Sequence, residues 1–316
     1  IQEAPCPKIM VCHNRKTYLK TTLPKNDPFA TENIEKMIKN LSELFTFLFI
    51  SPSKRDDYGY PGYVVLPGID VEEYGGYNGE KQVVLRVGNY MKVRNWMFDF
   101  PLQEELCKGL PTIIVGENPG IENSKPSKSF EELLEAYRSN RCLLHITRQE
   151  FEDGYNLSTL EAMACGMPVV SLNNHSSPIT NGVDGFTSFD SARLRKYLEL
   201  LLENQKLATD IGAQGRETVK RKFPISHFVE KWRNIILKHS GQEATTIQIT
   251  QPQVHKKHYQ ILLDYVSSPH TTARYFEFAF AKDHHVITAG YRCPEELLIR
   301  WGFQNPPSYP PQRIPT

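Results

Sequence analysis

The chain has 316 residues, of which 40% are hydrophobic and 23% charged, close to the globular average and sufficient for two domains. Its formal net charge is +1 and its pI is near 7.8, so composition gives no electrostatic footprint for nucleic acid or an anionic membrane surface. No apolar stretch approaches the roughly 20 residues of a membrane-spanning helix and no signal peptide is visible, which predicts a soluble, cytoplasmic protein. Six cysteines without a Cys-x-x-Cys pair are typical of a reducing compartment.

The first predicted strand covers residues 8–14 and ends in His13 and Asn14. The carboxyl ends of strands form the ligand-binding edge of open α/β sheets. Taken alone, however, this pair is better explained as a His and an Asn that cap a core strand.

An amphipathic helix is predicted from Ala30 to Leu44, followed by a strand at residues 45–50. A bend is predicted at Pro67 and Gly68, and we place the end of the first domain there because residues 64–70 resemble an interdomain turn of the protein family named below. Only about 65 residues precede this bend, against the roughly 100 to 150 of an ordinary domain. We therefore predict a truncated first domain.

The second predicted domain alternates strands and helices, which favours a parallel doubly wound sheet. Its strands are expected at residues 82–88, 112–116 and 142–146, with a helix at 129–139 between the last two. Right-handed crossovers bring the loops after these strands to one edge of the sheet. We expect that edge to include the helix that starts near Ser158.

Residues 153–171 predict a loop, a short helix, a Gly-Pro corner and a buried strand. Gly166 suits a left-handed helix end, and a nearby proline prevents continuation. The first turn carries Asn156, Ser158 and Thr159, small polar residues that suit capping. Its backbone N–H groups have no partner within the helix, and such an end attracts phosphate.

Glu161 lies one turn further along, among apolar residues. A carboxylate there is costly to bury unless it accepts hydrogen bonds. The vicinal hydroxyls of a ligand would be suitable donors.

The stretch from Leu160 to Val170 resembles, almost letter for letter, a signature of the retaining nucleotide-sugar glycosyltransferases of family four. In that signature a helix with Leu-Leu-Glu-Ala-Met-Ala-Cys-Gly precedes Pro-Val-Val. The resemblance implies an α/β, GT-B-like fold of two Rossmann-like doubly wound parallel-sheet domains. Two positions depart from the family: Asp153 stands for its leading Glu, and Asn156 for the second Gly of its Gly-aromatic-Gly step. A shift of one residue would put Glu152 in place of Asp153.

The resemblance also implies a site for a nucleoside-diphosphate sugar. Its catalytic group comprises Asp153 and His13, which address the donor sugar, and Arg94, which neutralises the leaving diphosphate. The other implied donor-binding residues are Glu161, which binds the ribose, and Ser158, Asn156, Thr159, Leu157, Lys92, Asn89 and Gly88, around the diphosphate.

The predicted function is transfer of a sugar, with retention, to a saccharide or lipid-linked acceptor, without a metal or further cofactor. We predict no nucleic-acid partner, and peripheral contact with a membrane stays open. A GT-B-fold sugar-nucleotide epimerase or hydrolase is one alternative, and a non-catalytic nucleotide-sugar-binding module is another. A nicotinamide dehydrogenase is disfavoured because no Gly-x-Gly-x-x-Gly opens any βαβ unit.

Four segments are predicted along the chain. Residues 1–68 are a partial N-terminal Rossmann-like domain on the acceptor side, and residues 69–240 are the C-terminal nucleotide-sugar-binding domain. Residues 241–257 are a polar linker, and residues 258–316 begin a further βαβ module. The helix of that module is expected at residues 271–281.

Overall fold

The structure, a computed structural model, describes residues 7–19, 28–151, 155–174 and 176–239 and the backbone of two strands at 260–266 and 285–291. The chain divides into two compact units, Ile1–Ala244 and Thr245–Thr316. The boundary that we predict at residue 68 lies inside the first unit and stays a prediction.

The strands of the first unit form two separate parallel sheets. Their bounds are β1 (Ile9–Cys12), β2 (Thr46–Phe49), β3 (Gly62–Val64), β4 (Lys81–Val87), β5 (Thr112–Val115), β6 (Ser124–Lys125), β7 (Asn140–His145), β8 (Val169–Leu172) and β9 (Phe186–Ser188).

Most of the helices lie between these strands, as in a βαβ arrangement, and the last three follow β9. They are α1 (Lys16–Leu19), α2 (Ala30–Leu44), α3 (Pro52–Tyr58), α4 (Asn95–Phe98), α5 (Phe100–Cys107), α6 (Phe130–Ser139), α7 (Leu157–Cys165), α8 (Ser191–Glu203), α9 (Gln205–Lys222) and α10 (Ile225–His239). Short 3-10 turns occur at Val71–Glu73 and Gln149–Phe151.

The smaller sheet has the order β1-β2-β3, with Ile9 paired to Thr46 at its start. Its core joins Phe47 and Phe49 of β2 to Ile34 and Ile38 of α2. Alternation along β2 and the four-residue spacing on α2 both place apolar side chains toward this core. Because its pairings are parallel, the carboxyl ends of the three strands lie along one edge of this sheet.

The larger sheet has the order β6-β5-β4-β7-β8-β9, and every pairing in it is parallel. The strand order runs outward on both sides of β4, which puts the reversal between β4 and β7. In open α/β sheets a ligand crevice opens at such a reversal, outside the carboxyl ends of the strands. The loops after β4 and β7 therefore flank the place where a ligand is expected.

The two faces of the larger sheet carry different helices. Val84, Leu144 and Val170 pack in one cluster with Leu106 of α5 and Leu198 of α8. Helices α6 and α7 contact β7 as well, but none of their residues belongs to that cluster. Because side chains alternate between the faces of a strand, α6 and α7 cover the face opposite to α5 and α8.

In the second unit, β10 (Gln260–Val266) and β11 (His285–Tyr291) form a two-stranded parallel sheet. Both strands were predicted. The helix expected at residues 271–281 lies outside the described residues.

Two expectations from composition can be compared with the structure. The cysteines that it describes, Cys12, Cys107, Cys142 and Cys165, are all buried and form no disulfide with one another. Within the described part of the chain, no helix is both long and apolar enough to cross a membrane.

Candidate functional site

Helix α7 is fixed at both ends by its own sequence. The side chain of Asn156 caps the start, where its Oδ1 accepts from the N–H of Thr159 at 3.3 Å. Gly166 ends the helix in the left-handed region, with φ of 91°, and its N–H donates to the carbonyl of Ala162. A side chain at this φ would be strained. The sequence thus confines the helix to nine residues.

The approach of α9 holds α7 in place. A Cβ atom added at Gly212 of α9 would lie 1.8 Å from the carbonyl oxygen of Gly166. Two backbones can come this close only where no side chain intervenes. The position of α7 is therefore set by backbone contact.

The first turn of α7 faces a partly open region. Asn156, Leu157 and Ser158 are half-buried. Thr159 is only 2% exposed, and within the described part of the chain its hydroxyl has no hydrogen-bond partner. Asn156 caps one N–H of this turn, while helix geometry gives the other first-turn N–H groups no intrahelical acceptor. An anion that reaches this end would find several donors.

Glu161 lies one helical turn beyond the start of α7, and two tyrosine side chains donate hydrogen bonds to its carboxyl group. The phenol of Tyr137 donates to Oε2 of Glu161 at 3.0 Å, and Tyr74 is a second hydrogen-bond partner. Burial raises the pKa of Glu161 to about 7, although the two tyrosine hydrogen bonds act in the opposite direction. Part of the residue remains exposed. Its carboxyl group is therefore poised between the neutral and ionised forms near neutral pH.

Tyr137 links Glu161 to the start of α7. Its side chain is completely buried within α6, and burial raises the pKa of its phenol well above the usual value. The hydroxyl of Ser158 also hydrogen bonds this phenol. Ser158, Tyr137 and Glu161 thus form one connected polar group. The sequence predictions included Ser158 and Glu161 but missed Tyr137 and Tyr74.

The loop after β4 is held by side-chain amides. Oδ1 of Asn89 accepts from the N–H of Glu117 at 2.8 Å. Asn118, 7% exposed, accepts from the N–H of Met91 and donates to the carbonyl of Gly88, each at 2.8 Å. These bonds lock the loop after β4 to the loop after β5. Asn89 therefore acts on the loop, and Asn118 is a contributor that the sequence predictions missed.

The two cations of this loop point to different surroundings. The guanidinium of Arg94 lies 4.7 Å from the centroid of Phe98 and its Nη2 contacts the sulfur of Met97. The ammonium of Lys92 donates instead to the carbonyl of Gly120 at 2.9 Å. Among the described contacts, none joins either cation to α7. The roles of Arg94 and Lys92 at the diphosphate therefore stay predictions.

A row of aromatic rings brings the loop after β1 to the larger sheet. Tyr18 of α1 lies 5.6 Å from Trp96 of α4, and Trp96 lies 4.8 Å from Phe151, measured between ring centroids. His13 directly follows β1 and precedes α1, and it is half-buried. The segment that carries His13 therefore meets the loops after β4 and β7. Trp96 was not among the predicted site residues.

Asp153 lies outside the described residues, as does its alternative, Glu152. The description resumes at Tyr155, whose ring packs on Phe223 with 5.1 Å between centroids. The role of Asp153 stays a prediction.

A family model described as "Glycosyl transferase-like" matches residues 94–234, which run from the loop after β4 into α10. Residues 94–234 are thus similar to a glycosyl transferase-like domain, and we use that name for them below. This domain contains Arg94, all of α7 with Glu161, and Tyr137. His13, Asn89 and Lys92 precede it.

Solved structures share the fold of the glycosyl transferase-like domain and of the strands before it. TarM from S. aureus has a TM-score of 0.57 at 15% identity, covering 72% of this chain and 50% of TarM. A structure of HepE from Anabaena with UDP and glucose also has a TM-score of 0.57 at 15% identity, covering 73% of this chain and 71% of HepE. Sucrose-phosphate synthase from Thermosynechococcus elongatus has a TM-score of 0.58 at 14% identity, covering 74% of this chain and 68% of that enzyme. The chain thus has the GT-B-like α/β fold that was predicted.

One curated relative matches part of the sequence. Trehalose synthase from Pyrococcus horikoshii is 26% identical over 93 residues, which are 29% of this chain and 22% of that enzyme. The chain thus matches about a fifth of the length of this relative and covers half of TarM.

Proposed function

We propose that this chain takes part in glycosyl transfer from a nucleoside-diphosphate sugar to a saccharide or lipid-linked acceptor, with retention at the transferred carbon. The observation that carries the proposal is the start of α7, where half-buried N–H donors lie one helical turn from the carboxyl group of Glu161. The structure of HepE with UDP and glucose, which has the same fold, supports a nucleotide-sugar ligand.

The diphosphate is assigned to the first turn of α7. The N–H groups of Leu157 and Ser158 and the unpartnered hydroxyl of Thr159 offer donors, and the helix dipole adds partial positive charge. Preorganised donors of this kind stabilise negative charge that develops on a departing group. The proposal therefore makes departure of the diphosphate the step that the chain assists most.

The ribose is assigned to Glu161. Tyr137 and Tyr74 hold the carboxylate in a fixed direction, and of its roughly four acceptor sites, two remain for the vicinal hydroxyls of a ligand. Charge-assisted hydrogen bonds of this type are stronger than neutral ones. The ionised form of Glu161 is the one that binds in this proposal.

The sugar end is assigned to residues on both sides of the crevice. Asp153 and His13 address the donor sugar, and Arg94 neutralises the leaving diphosphate. Gly88 and Asn89 shape the loop that carries Arg94, through the bonds to Asn118 and Glu117. Holding donor and acceptor in reacting geometry supplies much of the rate enhancement in such a site. No metal or additional cofactor is part of the proposal.

The first test is a calorimetric titration with UDP. Glu161→Ala should weaken binding by about 10- to 100-fold, equivalent to about 1–3 kcal/mol for the loss of charged hydrogen bonds. Glu135→Ala, which removes an exposed carboxylate from α6, is the matched control and should bind like the wild type. Unchanged affinity in a folded Glu161→Ala variant would remove Glu161 from the site.

The second test separates transfer from the alternative activities. Incubation of the full-length protein with a UDP-sugar alone should give slow release of UDP, and addition of a suitable saccharide acceptor should accelerate it. Fast isomerisation or rapid nucleotide release without acceptor would favour an epimerase or hydrolase. Binding without turnover across an acceptor panel would favour a non-catalytic module.

A further inference from the structure

A separate pocket of about 420 Å³ lies between α5, the loop after β4 and the segment that leads into β6. Arg86, Phe100 and Lys92 contribute to its wall, and Glu104 and Glu122 are also part of the lining. Helix α5 covers the face of the larger sheet opposite to α7. The pocket therefore lies on the other side of the sheet from α7, and it is lined by Lys92, which the family resemblance places around the diphosphate.

Arg86 is the buried charge of this pocket. Its side chain is 4% exposed, and its Nη1 donates to Oε1 of Glu104 at 2.6 Å. Its Nε is buried and has no hydrogen-bond partner among the described residues. A guanidinium presents its donors in a planar fork that matches carboxylate and phosphate oxygens. The guanidinium at the inner end of the pocket thus has one of its donors unpaired within the described part of the chain.

Lys92 supplies a second cation beside the same aromatic ring, that of Phe100. Its ammonium lies 5.9 Å from the centroid of Phe100, and the guanidinium carbon of Arg86 lies 6.0 Å from the same centroid. One bond of the ammonium goes to the carbonyl of Gly120, and an ammonium can donate three. Both cations and the ring thus border one volume.

The carboxylates of the pocket lie farther out than its buried cation. Glu104 is 52% exposed and already paired with Arg86, and Glu122 is exposed. Arg86 is therefore the inner charge of the pocket, and the exposed Lys92 lies at the rim with the two carboxylates. A single acidic group can lie between the two cations, whereas a large polyanion would also meet the carboxylates of the rim, which would repel it.

We propose that this pocket binds a small organic oxyanion. The acidic group, a carboxylate or a phosphate ester, lies between the guanidinium of Arg86 and the ammonium of Lys92, and the body of the ligand lies over the ring of Phe100. The volume is sufficient for a single hexose that carries such a group. This inference does not depend on the proposed glycosyl transfer.

The test is a calorimetric titration of the whole chain with three probes of similar size: glucose, glucuronate and glucose 6-phosphate. At least one of the two anions should bind, glucose should not, and saturating UDP should leave the affinity for the anion unchanged. The comparison of glucuronate with glucose 6-phosphate identifies which acidic group the pocket takes.

Substitutions place the binding in the pocket. Lys92→Gln, at an exposed side chain, should weaken binding of the anion at least fivefold. Arg86→Lys keeps the charge but removes the guanidinium group, and it should weaken binding at least tenfold. Lys128→Gln, at an exposed lysine outside the pocket, is the matched control and should bind like the wild type. If Arg86→Lys does not fold, the affinity of Lys92→Gln for the anion alone shows whether binding occurs in this pocket.

Four results would overturn the proposal: no binding of either anion, equal binding of glucose, displacement by UDP, or wild-type affinity in Lys92→Gln. Displacement by UDP would place the anion at α7 instead. If UDP itself does not bind, the proposed function fails while the anion titration still gives its answer.

Discussion

Glu161→Gln is the most informative single change, because it should stabilise the fold while weakening binding of the proposed ligand. Glutamine keeps the shape of the side chain and can still accept from the phenol of Tyr137. It removes the ionisable group whose pKa burial raises from 4.5 to about 7. The change therefore isolates the cost of holding a charge at this position.

The sign follows from proton linkage. Between pH 4.5 and 7 the folded chain holds a proton on Glu161 that the unfolded chain releases, so stability falls as pH rises through this range. The difference of 2.5 between the two pKa values corresponds to about 3 kcal/mol, fully expressed above pH 7. Because Glu161 remains partly exposed, this figure is an upper limit.

Urea unfolding at pH 5 and pH 8 measures the effect. At pH 8, Glu161→Gln should raise the free energy of unfolding by about 1–3 kcal/mol, and at pH 5 by less than about 1 kcal/mol. Glu135→Gln, at an exposed position, should change neither value. A gain that is the same at both pH values, or a loss at pH 8, would show that Glu161 ionises in the folded chain without penalty and would refute the reasoning.

The remaining predictions concern affinity and packing. Tyr137→Phe removes the donor to Glu161 while keeping the buried ring, so UDP affinity at pH 8 should fall about tenfold by calorimetry; an unchanged affinity would contradict the role of the phenol. UDP affinity of the wild type should rise between pH 6 and 8 as Glu161 ionises, and Glu161→Gln should reduce this dependence; equal pH profiles for the two would argue against an ionised acceptor. Asn118→Ala removes two hydrogen bonds to the loop after β4 and should lower the free energy of unfolding, measured in urea, by about 1–3 kcal/mol. Wild-type stability in this variant would show that the loop keeps its conformation without these bonds. Gly212→Ala should lower it by about 3 kcal/mol, the upper end for overpacking, and Gly215→Ala, where the nearest atom would be 3.2 Å away, by much less; equal losses would contradict the backbone contact.

Elements with a strong periodic pattern could be predicted from the sequence. The predicted helix from Ala30 to Leu44 is confirmed, because its apolar residues repeat at helical spacing and face one core. The short helix of the signature is confirmed too, with its start at Leu157, one residue before the predicted position. In both cases local sequence and tertiary packing favour the same structure.

Elements without such a pattern were missed. Helix α3, at Pro52–Tyr58, is not among the predicted helices, because its residues are mostly polar, although Ser51 and Pro52 form a start signal for a helix. Strand β9, at Phe186–Ser188, is not among the predicted strands, because three residues are too few to show a pattern. Short elements depend on neighbours that the local sequence does not reveal.

The partners of the site residues depend on the tertiary fold. Tyr137 lies 24 positions before Glu161 and on another helix, so no spacing rule connects them. The one available signal was Tyr137 itself, since a buried phenol in an amphipathic helix usually needs a hydrogen-bond partner. Asn118 reaches the loop after β4 across 27 positions in the same way.

The contact between Gly166 and Gly212 means that helix α7 tolerates few substitutions where it meets α9, in contrast to the loops around it. Helix α7 has almost no freedom to shift, since any displacement toward α9 would press one main chain into another. New ligand preferences would therefore have to arise in the surrounding loops, whose side-chain contacts can be exchanged one at a time. An engineer who wishes to alter the ligand bound beside α7 should randomise those loops and leave the two glycines untouched.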